Sequence, residues 1–220
     1  MKQVAVILSG CGVFDGSEIH ESVLTLLALD RAGAVAVVCA PNIQQRHVVN
    51  HQTNKAVPNE TRNVLHESAR IARGAVEHLE DLDPGQVDAV ILPGGFGAAK
   101  NLSTFAAENQ GFNVDPTVAR FLREIHKQGK PMGFVCIAPV IAVHLFGRDK
   151  GGLEYTIGDD ASVVAQLDGF GGVHKKCAVD DVVVDTKHKI VTTPAYMLAR
   201  RITEAETGIN KLVQKVLELA

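Results

Sequence analysis

The chain has 220 residues, of which 46% are hydrophobic and 21% charged, so it is long enough to bury a full core, and we expect a single domain over 1–220. A net charge of -3 excludes general attraction to nucleic acid or anionic membranes, and 5% aromatic residues without Trp offer no base-stacking platform. The amino-terminal apolar run and the run over 32–40 are too short for a signal peptide or a membrane span. We therefore expect no membrane association and a cytoplasmic location.

The start of the chain predicts a buried strand followed by a helix. The β-branched run "QVAVILS" is short and is bounded by "GCG", which is typical of a strand inside a parallel sheet. A helix is expected next, with Asp15 as its capping residue, Glu18 three positions later and Gly33 beyond its end. The apolar positions on one face of this helix are Ile19, Val23, Leu26 and Leu27.

The following segments repeat this alternation. "AVAVVCAP" predicts a second strand, 59–74 a second helix, and "VDAVILP" a third strand that ends in a glycine-rich turn. "DPTVARFLREIHKQG" predicts a helix with defined ends, because Asp115 can cap it, Pro116 suits its first position and Gly129 follows it. "KPMGFVC" and "APVIAVHLFG" predict a fourth strand and another helix.

The carboxyl-terminal part has a different pattern. Two strand-like runs flank a polar turn at 185–189 and predict a hairpin, and 203–220 predicts an amphipathic helix. Strands that alternate with helices earlier in the chain are typical of a parallel sheet covered on both faces. The expected fold class is therefore α/β with a mainly parallel sheet.

Three loops that follow predicted strands are candidates for a common site, because ligands of open parallel sheets bind beyond the carboxyl ends of the strands. These loops are "SGCGVFDGSE", "LPGGFGAAKN" and "FVCIAP". In the last one, Cys136 ends a strand and Pro139 suits the first turn of a helix. Backbone N–H groups and the helix dipole there would stabilise a thiolate and lower its pKa. The spacing fits a nucleophile on a sharp turn, and it also fits a buried structural cysteine.

The glycine-rich turn and the cysteines bear on cofactors. Gly94 and Gly95 allow a turn whose N–H groups can face an oxyanion, although a plain strand-to-helix turn uses glycine equally well. "GCGVFDG" is not GxGxxG, so we expect no nicotinamide cofactor. The four cysteines are widely spaced and form no Cys/His cluster at zinc spacing, so we expect free thiols, no metal and no cofactor.

Two carboxylates of the first predicted helix are candidates for proton transfer. Glu18 and Glu21 lie in its first turns, where acidic residues also complement the helix dipole without any further role. Glu21 lies off the apolar face, beside small residues, and could reach a crevice. Cys11, in the turn after the first strand, is a rival thiol. His20 and His144 are not expected to act as bases, because their helix positions direct them elsewhere.

The three strand-end segments, together with "TIG" and "VDTKHKIVTTPAYM", resemble the ElbB-type glyoxalases. These are also called enhancing lycopene biosynthesis proteins, or isoprenoid biosynthesis proteins with an amidotransferase-like domain. The resemblance covers nearly the whole chain, and "SGCGVFDGSEIHE" and "PGGFGAAKNL" are its most specific parts. The family lies in the PfpI/ThiJ superfamily, related to class I glutamine amidotransferases. The resemblance implies a flavodoxin-like three-layer α/β sandwich and a homodimer.

The resemblance also implies roles for individual residues. Cys136 corresponds to the nucleophile and Glu21 to its acidic partner, while Gly94 and Gly95 correspond to the oxyanion donors. Glu18 matches an acidic position near the site that has no settled role. The implied activity is a weak, cofactor-independent glyoxalase of the lyase class. It converts glyoxal, a small dicarbonyl, to glycolate without metal or glutathione.

Ile137, at the binding site beside the nucleophile, departs from much of that superfamily. Many of its proteases and amidotransferases have His directly after the nucleophilic Cys, and here that position is Ile137. The difference disfavours amide chemistry and favours addition to a reactive aldehyde, which needs less activation of the thiol. Two alternatives stay open: a thiol-based redox sensor or regulatory module, and an amide or deglycase-type hydrolase that uses a His from elsewhere in the fold.

Overall fold

A computed structural model describes residues 1–107 and 111–220. The strands are β1 Gln3–Ile7, β2 Val35–Ala40, β3 Val49–Asn50, β4 Lys55–Ala56, β5 Glu77–His78, β6 Ala89–Leu92, β7 Met132–Val135, β8 Leu153–Tyr155, β9 Gly172–His174, β10 Val183–Asp185 and β11 Ile190–Thr193. The helices are α1 Ile19–Arg31, α2 Val64–Ile71, α3 Phe96–Lys100, α4 Pro116–Lys127, α5 Pro139–Phe146, α6 Ala161–Asp168 and α7 Ile202–Leu219. Within the described ranges, no helix is both long enough and apolar enough to cross a membrane.

Seven of the strands form the central sheet, in the order β10-β11-β7-β6-β1-β2-β5. The pairings are parallel except that β10 is antiparallel to β11, as the predicted hairpin requires. The carboxyl ends of β1, β6, β7 and β11 therefore meet at one edge of the sheet. The prediction of an α/β fold with a mainly parallel sheet is confirmed.

The alternation of β1 shows why both faces of this sheet are covered. Ala5 and Ile7 pack in one core together with residues of α4 and α5, whereas Val4 and Val6 pack in a second core with residues of α1 and α7. Successive side chains of a strand point to opposite faces, so an unbroken apolar run supplies both cores at once. The result is a sheet between two helical layers.

The clearest local signals predicted their elements correctly. Helix α4 begins after Asp115, whose Oδ1 accepts the Thr117 N–H at 2.9 Å and the Val118 N–H at 3.2 Å. Caps of this kind stabilise a helix by about 1 kcal/mol. The second helix is shorter than predicted, because Asn63 caps α2 and the chain before it turns through Asn59, which has a φ of 66°.

The predicted cap of the first helix is wrong. Glu18 caps α1, with its Oε2 accepting the Glu21 N–H at 2.7 Å. Asp15 is buried and accepts the Val49 N–H at 2.7 Å, so its carboxylate fastens the β3–β4 hairpin to the first loop. A long-range partner thus takes the side chain that the local pattern assigns to the helix.

The two faces of α1 are also distributed unexpectedly. Its apolar positions Ile19, Val23 and Leu27 are 43%, 48% and 37% exposed. The buried side of the helix contains Glu21, Ser22, Thr25, Ala28 and Leu29. The small residues on this side let the helix approach the sheet closely, and Glu21 is buried because it lies on the same side.

Candidate active site

Cys136 lies on a strained turn between β7 and α5. Its φ is 62°, in the left-handed region that costs a residue other than glycine roughly 1–2 kcal/mol. Its N–H donates to the Thr193 carbonyl at 2.9 Å, which fixes the turn to the end of β11. The predicted sharp strand-to-helix turn is therefore present, and it directs a single thiol away from the strand.

The Cys136 thiol is hydrogen-bonded to the carboxyl group of Glu21, which is fully buried. Glu21 Oε2 accepts the Gly94 N–H at 3.0 Å, and Oε1 accepts the Tyr196 N–H at 3.2 Å. The site therefore combines residues from α1, the loops after β6 and β7, and the segment after β11. The sequence predicted that the loops after β1, β6 and β7 meet, and the segment after β11 is an additional contributor.

The backbone donors around the thiol differ in part from the prediction. The N–H groups of Gly95 and Ile137 donate to the Cys136 sulfur. The Gly94 N–H is not available as an oxyanion donor, because it is bound to Glu21. Sequence resemblance assigned Gly94 and Gly95 to one role, and the structure separates them.

Glycine at position 94 is required by the closeness of the pair. A Cβ there would lie 2.5 Å from Cys136 Cβ and 2.7 Å from Glu21 Oε2. Gly95 has a φ of 94°, and a Cβ there would collide with the Glu18 amide. Both glycines serve close approach of the backbone to the thiol and carboxyl groups.

Burial controls the protonation of the pair. Burial, and secondarily the Glu18 carboxylate, raises the pKa of Glu21 to about 8, against three hydrogen bonds that favour the charged form. Burial and the adjacent Glu21 also raise the pKa of the Cys136 thiol well above its ordinary value. The expected lowering of the thiol pKa is therefore wrong, since the Gly95 and Ile137 donors do not outweigh desolvation. The two groups titrate as a coupled pair.

A cavity of about 330 Å³ opens on the thiol. Its lining is mostly apolar and consists of Val13, Glu18, Gly95, Phe96, Ala99, Phe105, Ala106, Cys136, Ile137, Asp160, Val163, Tyr196 and Met197. Glu18 therefore reaches the candidate site while it caps α1. The cavity has the size and polarity of a small-molecule site with a few convergent polar groups.

The other predicted candidates lie outside this cavity. Cys11 is half-buried, does not line the cavity, and burial and the Glu67 carboxylate raise its pKa. Among residues 1–107 and 111–220, no histidine lines the cavity. His20 lies behind Tyr196, which lines the cavity, and its Nδ1 is 2.8 Å from the Tyr196 hydroxyl.

Tyr196 is the main site residue that the sequence analysis missed. It follows β11, whose carboxyl end lies beside that of β7. Ala195, before it, has a φ of 41°, and this bend presents the Tyr196 N–H to Glu21. The signal was present as "TTPAYM", a proline-containing turn after a predicted strand, which we did not count among the strand-end loops.

Known proteins resemble the chain over nearly its whole length. It is 44% identical to the human "Glutamine amidotransferase-like class 1 domain-containing protein 3, mitochondrial" and 43% identical to the rat "ES1 protein homolog, mitochondrial". Each match covers 99% of this chain, and 83% and 84% of those proteins respectively. No family model matches the chain.

Solved structures agree with this relationship. The crystal structure of an isoprenoid biosynthesis protein with amidotransferase-like domain from Ehrlichia chaffeensis has 37% identity and a TM-score of 0.91, covering 99% of this chain and all of that one. A ThiJ/PfpI domain protein from Brachyspira murdochii has 14% identity and a TM-score of 0.60, over 100% and 98% of the two chains. The latter shows the fold alone.

A third relative is the zebrafish "ES1 protein, mitochondrial", with 35% identity over 88% of this chain and 76% of that protein. The human, rat and zebrafish relatives are all named as mitochondrial, so the predicted cytoplasmic location is wrong by this comparison. Identity of this level over nearly the full chain, with the same fold in a solved relative, fixes the relationship. The chain belongs to the ES1 family of glutamine amidotransferase-like class 1 domain proteins.

Proposed function

We propose that the chain is a cofactor-independent glyoxalase-type enzyme that converts glyoxal to glycolate. The observation that carries the proposal is the hydrogen-bonded pair of Cys136 and Glu21 where the apolar cavity opens on the thiol. A thiol beside a buried carboxyl group can add to an aldehyde and then move a proton, and the reaction needs both.

The active form holds one proton on the pair. As the Cys136 sulfur adds to one aldehyde carbon of glyoxal, Glu21 takes the thiol proton and passes it to the new oxyanion. The Gly95 and Ile137 N–H groups, which donate to the sulfur in the free protein, are suited to stabilise that oxyanion. The product of this step is a hemithioacetal, and the Glu21 carboxylate is regenerated.

The second step is an internal redox shift. Glu21 removes the hydrogen of the carbon bound to sulfur and returns a proton to the neighbouring carbon, while the hydroxyl proton of the hemithioacetal moves to the oxygen of that neighbouring carbon. The first carbon is thereby oxidised to a thioester and the second reduced to an alcohol, so no external oxidant enters. Water then hydrolyses the glycolyl thioester, which releases glycolate and restores the thiol.

The cavity supports a wider substrate class than glyoxal itself. Glyoxal has four heavy atoms, and a volume of about 330 Å³ lined by Phe96, Phe105 and Met197 leaves room for an apolar substituent. We expect 2-oxoaldehydes with a methyl or phenyl group to have a higher kcat/KM than glyoxal, because burial of apolar surface contributes about 25 cal/mol per Å².

The test is glycolate production from glyoxal followed by NMR in D₂O. Wild type is expected to form glycolate with deuterium at carbon 2, because the proton passes through the exchangeable Glu21 carboxyl. A direct hydride shift would leave carbon 2 without deuterium and would contradict the role of Glu21. Cys136→Ala is expected to abolish turnover, and Glu21→Gln to reduce it by roughly 10²–10⁴-fold.

Cys11→Ala is the matched control, because glyoxal modifies any accessible thiol. It removes a half-buried thiol outside the cavity and is expected to keep full turnover. Equal turnover of wild type and Cys136→Ala would refute the proposal. The redox-sensor alternative has less support, because the Cys136 side chain is buried and its pKa is raised, whereas sensor thiols are exposed and acidic.

A further inference from the structure

Three side chains from distant parts of the chain meet at the amino-terminal end of β11. They are His126 at the end of α4, Asp149 after α5, and His188 in the β10–β11 turn. One nitrogen of each histidine and one oxygen of Asp149 lie within 4.8 Å of one another. This cluster is unrelated to the cavity at Cys136, which lies at the carboxyl ends of the strands.

His188 is held in the orientation of a metal ligand. Its side chain is buried, with 2% exposed, and its Nδ1 is 3.0 Å from Asp185 Oδ2. Asp185 is itself buried and fixed, since it also accepts the N–H groups of His188 at 2.8 Å and Glu154 at 2.9 Å. A carboxylate on Nδ1 places the proton there and leaves the lone pair on Nε2, as in carboxylate–histidine–zinc triads.

The free nitrogen of His188 points at the other two side chains. Its Nε2 is buried, has no hydrogen-bond partner within the described ranges, and lies 3.7 Å from Asp149 Oδ2. A buried polar atom without a partner costs the fold roughly 1–3 kcal/mol, so it calls for an explanation. A cation between His188 and Asp149 would satisfy it.

His126 and Asp149 provide the remaining ligands with freedom to adjust. The His126 ring stacks on Phe146, with centroids 4.6 Å apart, and lies nearly parallel to the His188 ring. The Asp149 side chain is 53% exposed, which gives an entry path and an open coordination position. Nitrogen ligands of tetrahedral zinc are about 3.3 Å apart, so small side-chain rotations complete the site.

We propose that His126, Asp149 and His188 bind a divalent transition-metal cation, Zn²⁺ in the first instance, with Asp185 as the residue that orients His188. Two imidazole nitrogens and a carboxylate match the ligand preference of Zn²⁺, and the nearby Asp185 and Asp149 carboxylates offset its two charges. The bound ion links the end of α4, the loop after α5 and the β10–β11 turn, so it stabilises the fold at the end opposite to the candidate active site.

The test is titration of the metal-free 220-residue chain with Zn²⁺ by calorimetry, together with thermal unfolding. One equivalent is expected to bind, and Tm is expected to rise by roughly 5–10 °C at about 100 times Kd. Absorption of the Co²⁺ form identifies the ligands, because imidazole and carboxylate coordination lacks the intense sulfur-to-metal band that any cysteine site would show.

Variants separate this site from other metal-binding groups. His126→Gln and Asp149→Asn alter half-buried or exposed side chains and are expected to fold and to lose the Zn²⁺-dependent rise in Tm. Asp185→Asn is expected to weaken binding by roughly 10–100-fold through misorientation of His188. His66→Gln, an exposed histidine of α2, is the matched control and is expected to bind as wild type does.

Absence of a Tm shift and of a calorimetric signal in wild type would overturn the proposal. So would unchanged affinity in both His126→Gln and Asp149→Asn, since binding would then occur elsewhere. A sulfur-to-metal band in the Co²⁺ form that disappears in Cys136→Ala would assign the metal to the thiol and would equally refute the cluster.

Discussion

The Cys136 thiol and the Glu21 carboxyl group are hydrogen-bonded to each other inside the fold, and each accepts two backbone N–H groups. Four donors from three segments, which are the loop after β6, the turn before α5 and the segment after β11, therefore surround two acidic groups. They are sufficient to stabilise one negative charge, and burial together with mutual repulsion opposes a second. Once Glu21 loses its proton near pH 8, the pair accordingly keeps one proton, which is the form required for addition followed by proton transfer.

Burial of Glu21 predicts a specific dependence of stability on pH. Its pKa is about 8 in the folded chain, against 4.5 for an unperturbed carboxyl, so the folded state binds the extra proton between these values. The contribution of this proton to the free energy of unfolding is fully present below about pH 4.5, and it is lost as pH rises through about 8. At about 1.4 kcal/mol per pKa unit, the loss is up to about 5 kcal/mol.

Glu21→Gln should remove this loss. Urea unfolding near pH 5 and near pH 9 is expected to show that the free energy of unfolding of the variant, relative to wild type, increases with pH and levels off above about pH 8. Near pH 5 the free energies of unfolding of the two proteins also differ by the hydrogen bond that Gln cannot replace. This contribution does not depend on pH. A pH-independent difference between the two proteins would show that Glu21 is ionised in the fold.

The same pair predicts the pH profile of turnover. Below about pH 8 both the carboxyl and the thiol hold protons, so neither the base nor the nucleophile is available. We expect kcat/KM for glyoxal to rise about tenfold per pH unit below an apparent pKa near 8 and then to reach a plateau. Residual turnover of Glu21→Gln should lack this inflection. Turnover that decreases through pH 8 would contradict the assignment.

Gly94 gives a prediction based on space alone. In Gly94→Ala the new methyl group must displace either Cys136 Cβ at 2.5 Å or Glu21 Oε2 at 2.7 Å. We expect destabilisation by about 1–3 kcal/mol and a loss of turnover of at least 100-fold, because the hydrogen bond of the pair cannot form. Denaturant unfolding and glycolate NMR measure the two effects.

Gly169→Ala is the control for this substitution. Gly169 ends α6 with a φ of -62°, and a Cβ there would meet only the Gln166 carbonyl, at 3.2 Å. It is expected to keep turnover and to change stability little. Full activity of Gly94→Ala would show that the site tolerates separation of the thiol and the carboxyl.

Local signals accounted for the parts of the fold that depend on local energetics. The strands, the α4 cap at Asp115 and the 185–189 hairpin follow from apolar runs and turn residues, and each is present. The α1 cap could not be predicted, because the partner of Asp15 is the distant Val49 amide. The direction of the thiol pKa also failed, since it depends on the degree of burial and not on the turn sequence.

The two clusters of ionisable groups also depend on contacts between distant parts of the chain, which local sequence patterns do not indicate. Cys136 and Glu21 were paired through family resemblance and through the general meeting of strand ends, and the structure brings them together. The residues of the second cluster, His126, Asp149 and His188, lie far apart in the sequence and form no zinc-binding motif that could indicate the cluster. Its residues come from the end of α4, the loop after α5 and the β10–β11 turn, which only the tertiary fold brings together.

The homodimer stays a prediction, and α1 offers the surface for it. Ile19, Val23 and Leu27 form an exposed apolar stripe at helical spacing, on the side of α1 away from the buried Glu21. We expect a second copy to cover this stripe about a two-fold axis, so that Val23→Asp acts twice in each interface. The substitution should raise the dimer dissociation constant at least tenfold, about 1.4 kcal/mol.

Sedimentation velocity measures this effect, and the mass should change from twice the 23.5 kDa chain mass toward that of a single chain. Val173→Asp, which alters an exposed valine on β9, should leave the mass unchanged. A Val23→Asp variant that sediments as wild type does would place the interface elsewhere.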